Sequence, residues 1–163
     1  WIFAFIASGL ITASQINNLL LRRHTSEQII RGALVAQGSV AILLVTTVLM
    51  GFTGLYLTTL LIFLFLSCQG FIFPNASALS LAPFGHKAGS ASALMGAIQM
   101  SIGAGASALV SLLSNHTALP MTGVMCTTAL SALTVLLVGR RIISYRASLS
   151  RVEEEEVEMV NTL

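Results

Sequence analysis

Residues 55–66 read Leu-Tyr-Leu-Thr-Thr-Leu-Leu-Ile-Phe-Leu-Phe-Leu, a run without a charged residue and without a polar stripe at helical spacing. A helix on the surface of a soluble protein keeps one polar face for water. This run has no such face, and it lies within a longer uncharged stretch, residues 32–86. The sequence therefore predicts a helix with apolar surroundings on every side, as in a lipid bilayer.

The composition of the whole chain points the same way. Of the 163 residues, 55% are hydrophobic and only 9% are charged, whereas about a quarter of a soluble domain is charged. This balance excludes an ordinary soluble enzyme and a disordered chain. Two cysteines are too few for a disulfide-stapled secreted domain. A polytopic membrane protein remains.

The charged residues divide the chain into spans. Three stretches, residues 1–21, 32–86 and 88–139, contain no Asp, Glu, Lys or Arg. A bilayer core about 30 Å thick takes roughly 20 helical residues, so each of the two longer stretches holds two crossings. Turn-forming residues at 51–54 and 114–117 separate these crossings. We predict an all-α polytopic membrane protein with five transmembrane helices, at residues 1–21, 33–51, 55–74, 89–113 and 119–139.

The basic residues predict how the spans are oriented. All eight lie on one side of the five spans: Arg22, Arg23, Arg31, Lys87, Arg140, Arg141, Arg146 and Arg151. Positively charged loops stay in the cytoplasm, so this side is predicted to be cytoplasmic. Residues 140–163, with glutamates at 153–156, then form a cytoplasmic C-terminal tail. The start at Trp1 inside an apolar segment, and the odd number of spans, predict a C-terminal fragment of a larger protein.

The fourth span carries a row of small residues at intervals of four. Its members are Gly85, Gly89, Ala93, Ala97, Ser101 and Gly105, and a parallel row holds Ala88, Ser92 and Gly96. Such rows let two helices approach closely in lipid. We expect this face to meet another helix, either as static packing or as a surface that slides during function.

Pro74 follows the apolar part of the third span. A proline inside a helix removes one backbone hydrogen bond and clashes with the preceding turn. The sequence leaves two alternatives open, a kinked helix or a helix end. Asn75 beside it places an amide near membrane depth, where polar groups tend to face the interior of the bundle.

Residues 70–96 read GFIFPNASALSLAPFGHKAGSASALMG. This segment resembles the region of helices ten and eleven in Bcr/CflA-type multidrug transporters of the major facilitator superfamily. The resemblance implies that the five spans are helices eight to twelve of a twelve-helix transporter, within its C-terminal six-helix half. It covers the chain up to the tail.

The resemblance also implies a function. Members of this family export drugs and other small hydrophobic or cationic compounds by proton antiport, with alternating access between two six-helix halves. The expected partners are then the N-terminal half of the same transporter, the lipid bilayer, the substrate and protons. The expected location is the cytoplasmic (inner) membrane of a bacterium, and an enzymatic activity is not expected.

Uncharged polar side chains and adaptable apolar side chains on the first, third and fourth spans are the candidates for contact with substrate. They are Gln15, Asn18, Gln69, Phe73, Asn75, Met95, Gln99 and Met100. Each amide has an alternative role as a hydrogen bond between helices.

Catalytic and metal sites are not predicted. No span contains Asp or Glu, and the three histidines, at 24, 86 and 116, lie in or near loops. Cys68 and Cys126 have no His or Cys at metal-ligand spacing, so no metal or cofactor is expected. No basic and aromatic array points to nucleic acid. The alternatives to a transporter are a non-transporting five-helix membrane subunit, or an intramembrane enzyme, which needs a nucleophile and a base at depth.

Overall fold

The computed structural model describes residues 1–52, 54–113 and 117–161, with side chains described as far as residue 142. Over these ranges the chain is helical and contains no strand. The elements are α1 (Ile2–Leu20), α2 (Ser26–Leu49), α3 (Leu55–Leu81), a 3₁₀ helix (Ala82–Lys87), α4 (Ala88–Leu112) and α5 (Leu119–Asn161). The all-α class is confirmed. Of the turn predicted at residues 114–117, positions 114–116 lie outside the described residues.

The long helices indicate an integral membrane protein. Among the described residues, four stretches are long and apolar enough to cross a membrane, and one of them, Leu55–Leu112, contains both α3 and α4. The described part of the chain thus has four or five long apolar helices, according to whether this stretch is taken as one or as two.

α2 begins before the apolar stretch that predicted it. Thr25 Oγ1 accepts a hydrogen bond from the backbone N–H of Gln28 at 3.4 Å, and Gln28 Oε1 accepts one from the backbone N–H of Thr25 at 3.3 Å. This reciprocal cap satisfies two of the free donors at a helix start. The helix therefore starts at Ser26, and Glu27 and Arg31 lie in its first two turns.

α3 continues through Pro74 to Leu81, so the alternative in which the helix ends at the proline is wrong. The chain changes direction later, in the 3₁₀ helix, where Gly85 has a φ of +33° that other residues rarely adopt. Gly85 therefore belongs to the 3₁₀ helix between α3 and α4, and the row of small residues on α4 begins at Gly89.

The helices pack unequally. α3 lies between α1 and α2, and α2 also packs against α5. The buried centre consists of Ala41 from α2, Phe65 from α3 and Ala129 from α5. α4 touches its neighbours at few points, and none of its residues is buried. α5 extends as a helix to Asn161, into the predicted tail at 140–163.

Candidate functional site

A cleft of about 550 Å³ lies between α1 and α3. We call it the α1–α3 cleft. It is lined by Leu10, Ile11, Ser14 and Gln15 from α1, and by Gln69, Gly70, Phe73 and Pro74 from α3. Three predicted substrate contacts, Gln15, Gln69 and Phe73, thus come together around one space. Pro74, where the sequence predicts a kink or a helix end, also lines it.

Glycines set the close approach of the two helices that form the cleft. A Cβ on Gly70 would lie 2.8 Å from the backbone oxygen of Leu10 and 2.8 Å from the Cβ of Ala13. A Cβ on Gly9 would overlap the ring of Phe63. A side chain at Gly70 would force α1 and α3 apart, because it would meet the backbone of α1, whereas a side chain at Gly9 would have to displace the ring of Phe63.

Aromatic stacking and an amide pair fix the same two helices. The rings of Phe5 and Phe63 stack with their centroids 4.4 Å apart. Asn75 Nδ2 donates a hydrogen bond to Asn17 Oδ1 at 2.6 Å, and both residues are 2% exposed. Asn75 Nδ2 also donates to the backbone oxygen of Phe71 at 2.7 Å. The amide of Asn75 therefore joins helices, as the alternative role predicted, and it does not line the cleft.

The orientation of Gln69 depends on α2. Gln37 Nε2 donates a hydrogen bond to Gln69 Oε1 at 3.0 Å and reaches the backbone oxygen of Phe65 at 3.5 Å. Gln37 is 4% exposed, so this contact is shielded from solvent. Since the oxygen of Gln69 is engaged by Gln37, the Nε2 group of Gln69 is the donor left for the cleft.

The remaining predicted contacts lie elsewhere. Asn18 is exposed on α1, Gln99 and Met100 are exposed on α4, and Met95 is half-buried on α4. None of these four lines the α1–α3 cleft. The predicted packing residues Gly89, Ala93, Ala97, Ser101 and Gly105 are also exposed on α4. Within the described part of the chain, no atom from another helix lies within 4 Å of a Cβ placed on Gly89 or Gly105.

Two residues that hold the site were not predicted. Asn17 and Gln37 are buried amides, each bonded to an amide on α3. A signal for Gln37 exists in the sequence, because it is a lone amide between the apolar residues 33–36 and 40–45.

The chemistry of the α1–α3 cleft is that of binding. Its lining is mostly apolar, with amides from Gln15 and Gln69, a hydroxyl from Ser14, and no charged side chain. It can hold a small hydrophobic compound and offer it hydrogen bonds. No titratable side chain lines it to activate the Ser14 hydroxyl or to transfer a proton. Among the described residues, no group of three His, Cys, Asp or Glu side chains is placed to hold a metal ion.

Comparison with protein families, with characterised proteins and with solved structures found no match to this chain. The likeness of residues 70–96 to the drug transporters stays a prediction.

Proposed function

We propose that the chain is the C-terminal part of a secondary active transporter of the major facilitator superfamily that exports small hydrophobic or cationic compounds. Transport would proceed by proton antiport with alternating access, in a bacterial cytoplasmic membrane, with the C-terminus on the cytoplasmic side. The substrate would bind in the α1–α3 cleft, between this chain and an N-terminal half of the same transporter.

One observation carries the proposal. Gln15 and Phe73 are 58 positions apart in the sequence, yet they line the same uncharged cleft with Gln69. A volume of about 550 Å³ falls within the range of small-molecule sites, which combine apolar walls with a few polar groups. The exposed ring of Phe73 offers a face to a hydrophobic cation.

The exposed face of α4 supports the proposal that the chain has a partner in the membrane. Its row of small residues suits close contact with another helix, and no other part of the described chain buries it. We propose that the N-terminal half covers this face. A non-transporting membrane subunit with a different partner is the second candidate, because it would use the same face.

Proton coupling would require a group from the partner half. The α1–α3 cleft is lined by no titratable side chain, and the apolar spans contain no Asp or Glu. A carboxylate at membrane depth is the usual proton carrier in transporters. We therefore place the coupling acid in the N-terminal half.

Transport by the full natural chain in proteoliposomes tests the proposal. Antiport predicts that vesicles with an acidic interior accumulate ethidium or tetraphenylphosphonium, and that a proton ionophore abolishes the accumulation. Gln15→Leu removes an exposed amide of the cleft and leaves the hydrogen bond between Gln37 and Gln69 intact. It is expected to lower the rate at low substrate concentration about fivefold to tenfold, as for the loss of one hydrogen bond to a ligand.

Thr46→Val is the matched control, because Thr46 is exposed on α2 and bonds only to carbonyls of its own helix. It should transport at the normal rate. An antibody against residues 151–163 should detect a native polypeptide of more than twice 17.2 kDa. A native band near 17.2 kDa, without gradient-driven movement of either cation, would favour the membrane subunit instead.

A further inference from the structure

A second cleft, of about 590 Å³, lies where the basic end of α2 meets α5. We call it the α2–α5 cleft. Its lining divides into an apolar wall on α5 and a rim of arginines. The lining residues are Leu130, Leu133, Thr134, Leu137, Val138, Arg31, Arg140 and Arg141.

The apolar wall runs along one face of α5. Residues 130, 133, 134 and 137 repeat at helical spacing, and residues 130–138 extend over about 12 Å of helix. The wall rests on α2 at Gly38, where a Cβ would lie 3.7 Å from Leu130 Cδ2 and 3.9 Å from Leu133 Cδ2. Leu130 is nevertheless 38% exposed, and farther along Leu137 and Val138 are 43% and 50% exposed. The wall therefore contacts α2 at one end and is open along its outer side.

The rim concentrates arginines at the Val138 end of the wall. Arg31, Arg140 and Arg141 line it, and the carboxylate of Glu27 lies beside Arg140. Arg140 Nε lies 2.7 Å from Glu27 Oε1, so the guanidinium of Arg140 is tied to the first turn of α2. Arg31 is exposed, and no carboxylate of the described residues pairs with it.

An apolar wall that ends in clustered arginines complements an amphiphilic anion. In the membrane that the long helices imply, that anion is a phospholipid with a net negative charge. Its phosphate would contact the guanidinium groups, which bind phosphate oxygens through paired N–H donors. Its acyl chain would cover the wall from Val138 towards Leu130. A free phosphate would use the rim alone and leave the wall exposed.

We propose that the α2–α5 cleft binds an anionic phospholipid and that Arg31 is its main headgroup contact. The lipid would bridge α2 and α5 next to the ion pair of Glu27 with Arg140. This inference does not depend on transport, since it requires only that the apolar helices lie in a membrane.

Titration of dioleoylphosphatidylglycerol into the full natural chain in a neutral detergent, with bound lipid counted by native mass spectrometry, tests this proposal. We expect saturable binding of one lipid that dioleoylphosphatidylcholine does not match. Arg31→Gln should weaken it about fivefold, the effect of one arginine near an anionic headgroup. Dihexanoylphosphatidylglycerol should bind more weakly than the long-chain lipid, because its short chains cover less of the wall.

Arg23→Gln is the matched control, because it makes the same change of charge at an exposed arginine between α1 and α2 that does not line the cleft. It should leave binding within twofold of the unmodified protein. If Arg23→Gln and Arg31→Gln weaken lipid binding equally, the effect is a general attraction between the basic protein surface and the anionic lipid, and the proposal is overturned. Equal binding of phosphatidylcholine, or full displacement of the lipid by inorganic phosphate, would also overturn it.

Arg31→Lys tests the contribution of the charge, and thermal unfolding tests folding. Arg31→Lys keeps the positive charge but loses the paired N–H donors, so its binding should lie between that of the unmodified protein and that of Arg31→Gln. A weakening in Arg31→Gln that is accompanied by a lower midpoint of thermal unfolding would assign the effect to a disturbed helix and contradict a headgroup contact.

Discussion

α3 and α4 follow each other in the chain and have similar length and similar apolar character, yet they pack differently. α3 has 27 residues and buries four of them between its neighbours, Leu61, Phe65, Gly70 and Asn75. α4 has 25 residues and buries none. Gly70 on α3 touches the backbone of α1, whereas a Cβ on any glycine of α4 meets nothing within 4 Å.

The difference shows what specifies packing in apolar helices. A row of small residues permits close approach but selects no particular partner. On α3, selection comes from features that need a matching surface, namely a glycine against a backbone and an amide opposite another amide. α4 carries the row of small residues, but no amide on α4 is hydrogen-bonded to another part of the described chain. The following experiments test this contrast, beginning with the largest expected effect.

Gly70→Ala should have the largest effect on stability. Its Cβ would meet the Leu10 carbonyl oxygen and the Ala13 Cβ at 2.8 Å, and neither can move without its helix. Overpacking of this kind costs about 1–3 kcal/mol, measured as the change in the free energy of unfolding in detergent micelles. Gly103→Ala on α4 is the control, since its Cβ meets nothing within 4 Å. It should leave stability unchanged or raise it by up to about 1 kcal/mol. Equal losses in both variants would remove the distinction between the helices.

The buried pair of Asn17 and Asn75 should have the next largest effect. A double-mutant cycle of Asn17→Ala and Asn75→Ala is expected to give a coupling energy of about 0.6–1.7 kcal/mol, as for hydrogen bonds between membrane helices. The same cycle between Asn17→Ala and Gln99→Ala should be additive, because Gln99 is exposed on α4. Additivity in the first cycle would contradict a role for the asparagine pair in joining α1 to α3.

The ion pair of Glu27 with Arg140 should have the smallest effect on stability. Its side chains are 42% (Arg140) and 49% (Glu27) exposed. Exposed ion pairs contribute about 0.2–1 kcal/mol. Glu27→Gln should therefore reduce the free energy of unfolding by less than Asn75→Ala does, and high salt should remove the difference from the unmodified protein. A loss as large as that of Gly70→Ala would show that this exposed contact specifies packing as strongly as the buried ones.

The sequence predicts the positions of the helices well, because the lengths of the apolar stretches and the positions of the charged residues indicate where the helices lie. Residues 1–21 correspond to α1 (Ile2–Leu20), and 89–113 correspond to α4 (Ala88–Leu112). Two helix ends were missed, for different reasons. The start of α2 lies outside the apolar stretch and depends on the local cap formed by Thr25 and Gln28. The end of α3 lies inside an uncharged stretch, and the helix continues through Pro74 to Leu81.

The candidate site was predicted only in part. The polarity of Gln15 and Gln69 within apolar helices marked them, and the structure brings them to one cleft. The partners Asn17 and Gln37 were missed, as was the close approach at Gly70, because an apolar helix lacks the polar stripe that would show which face is buried. For the same reason the sequence grouped Gln99 and Met100 on α4 with residues of the cleft.

Protection of introduced thiols by a bound cation tests the central claim most directly. In the full natural chain with Cys68 and Cys126 replaced by serine, provided that this background still transports, single cysteines would be placed at Gln15 and Phe73 in the α1–α3 cleft and at Gln99 on α4. We expect tetraphenylphosphonium to slow thiol modification at positions 15 and 73 at least severalfold, and to leave position 99 unchanged. Equal rates with and without the cation at positions 15 and 73, in a protein that still transports it, would contradict the cleft as the substrate site.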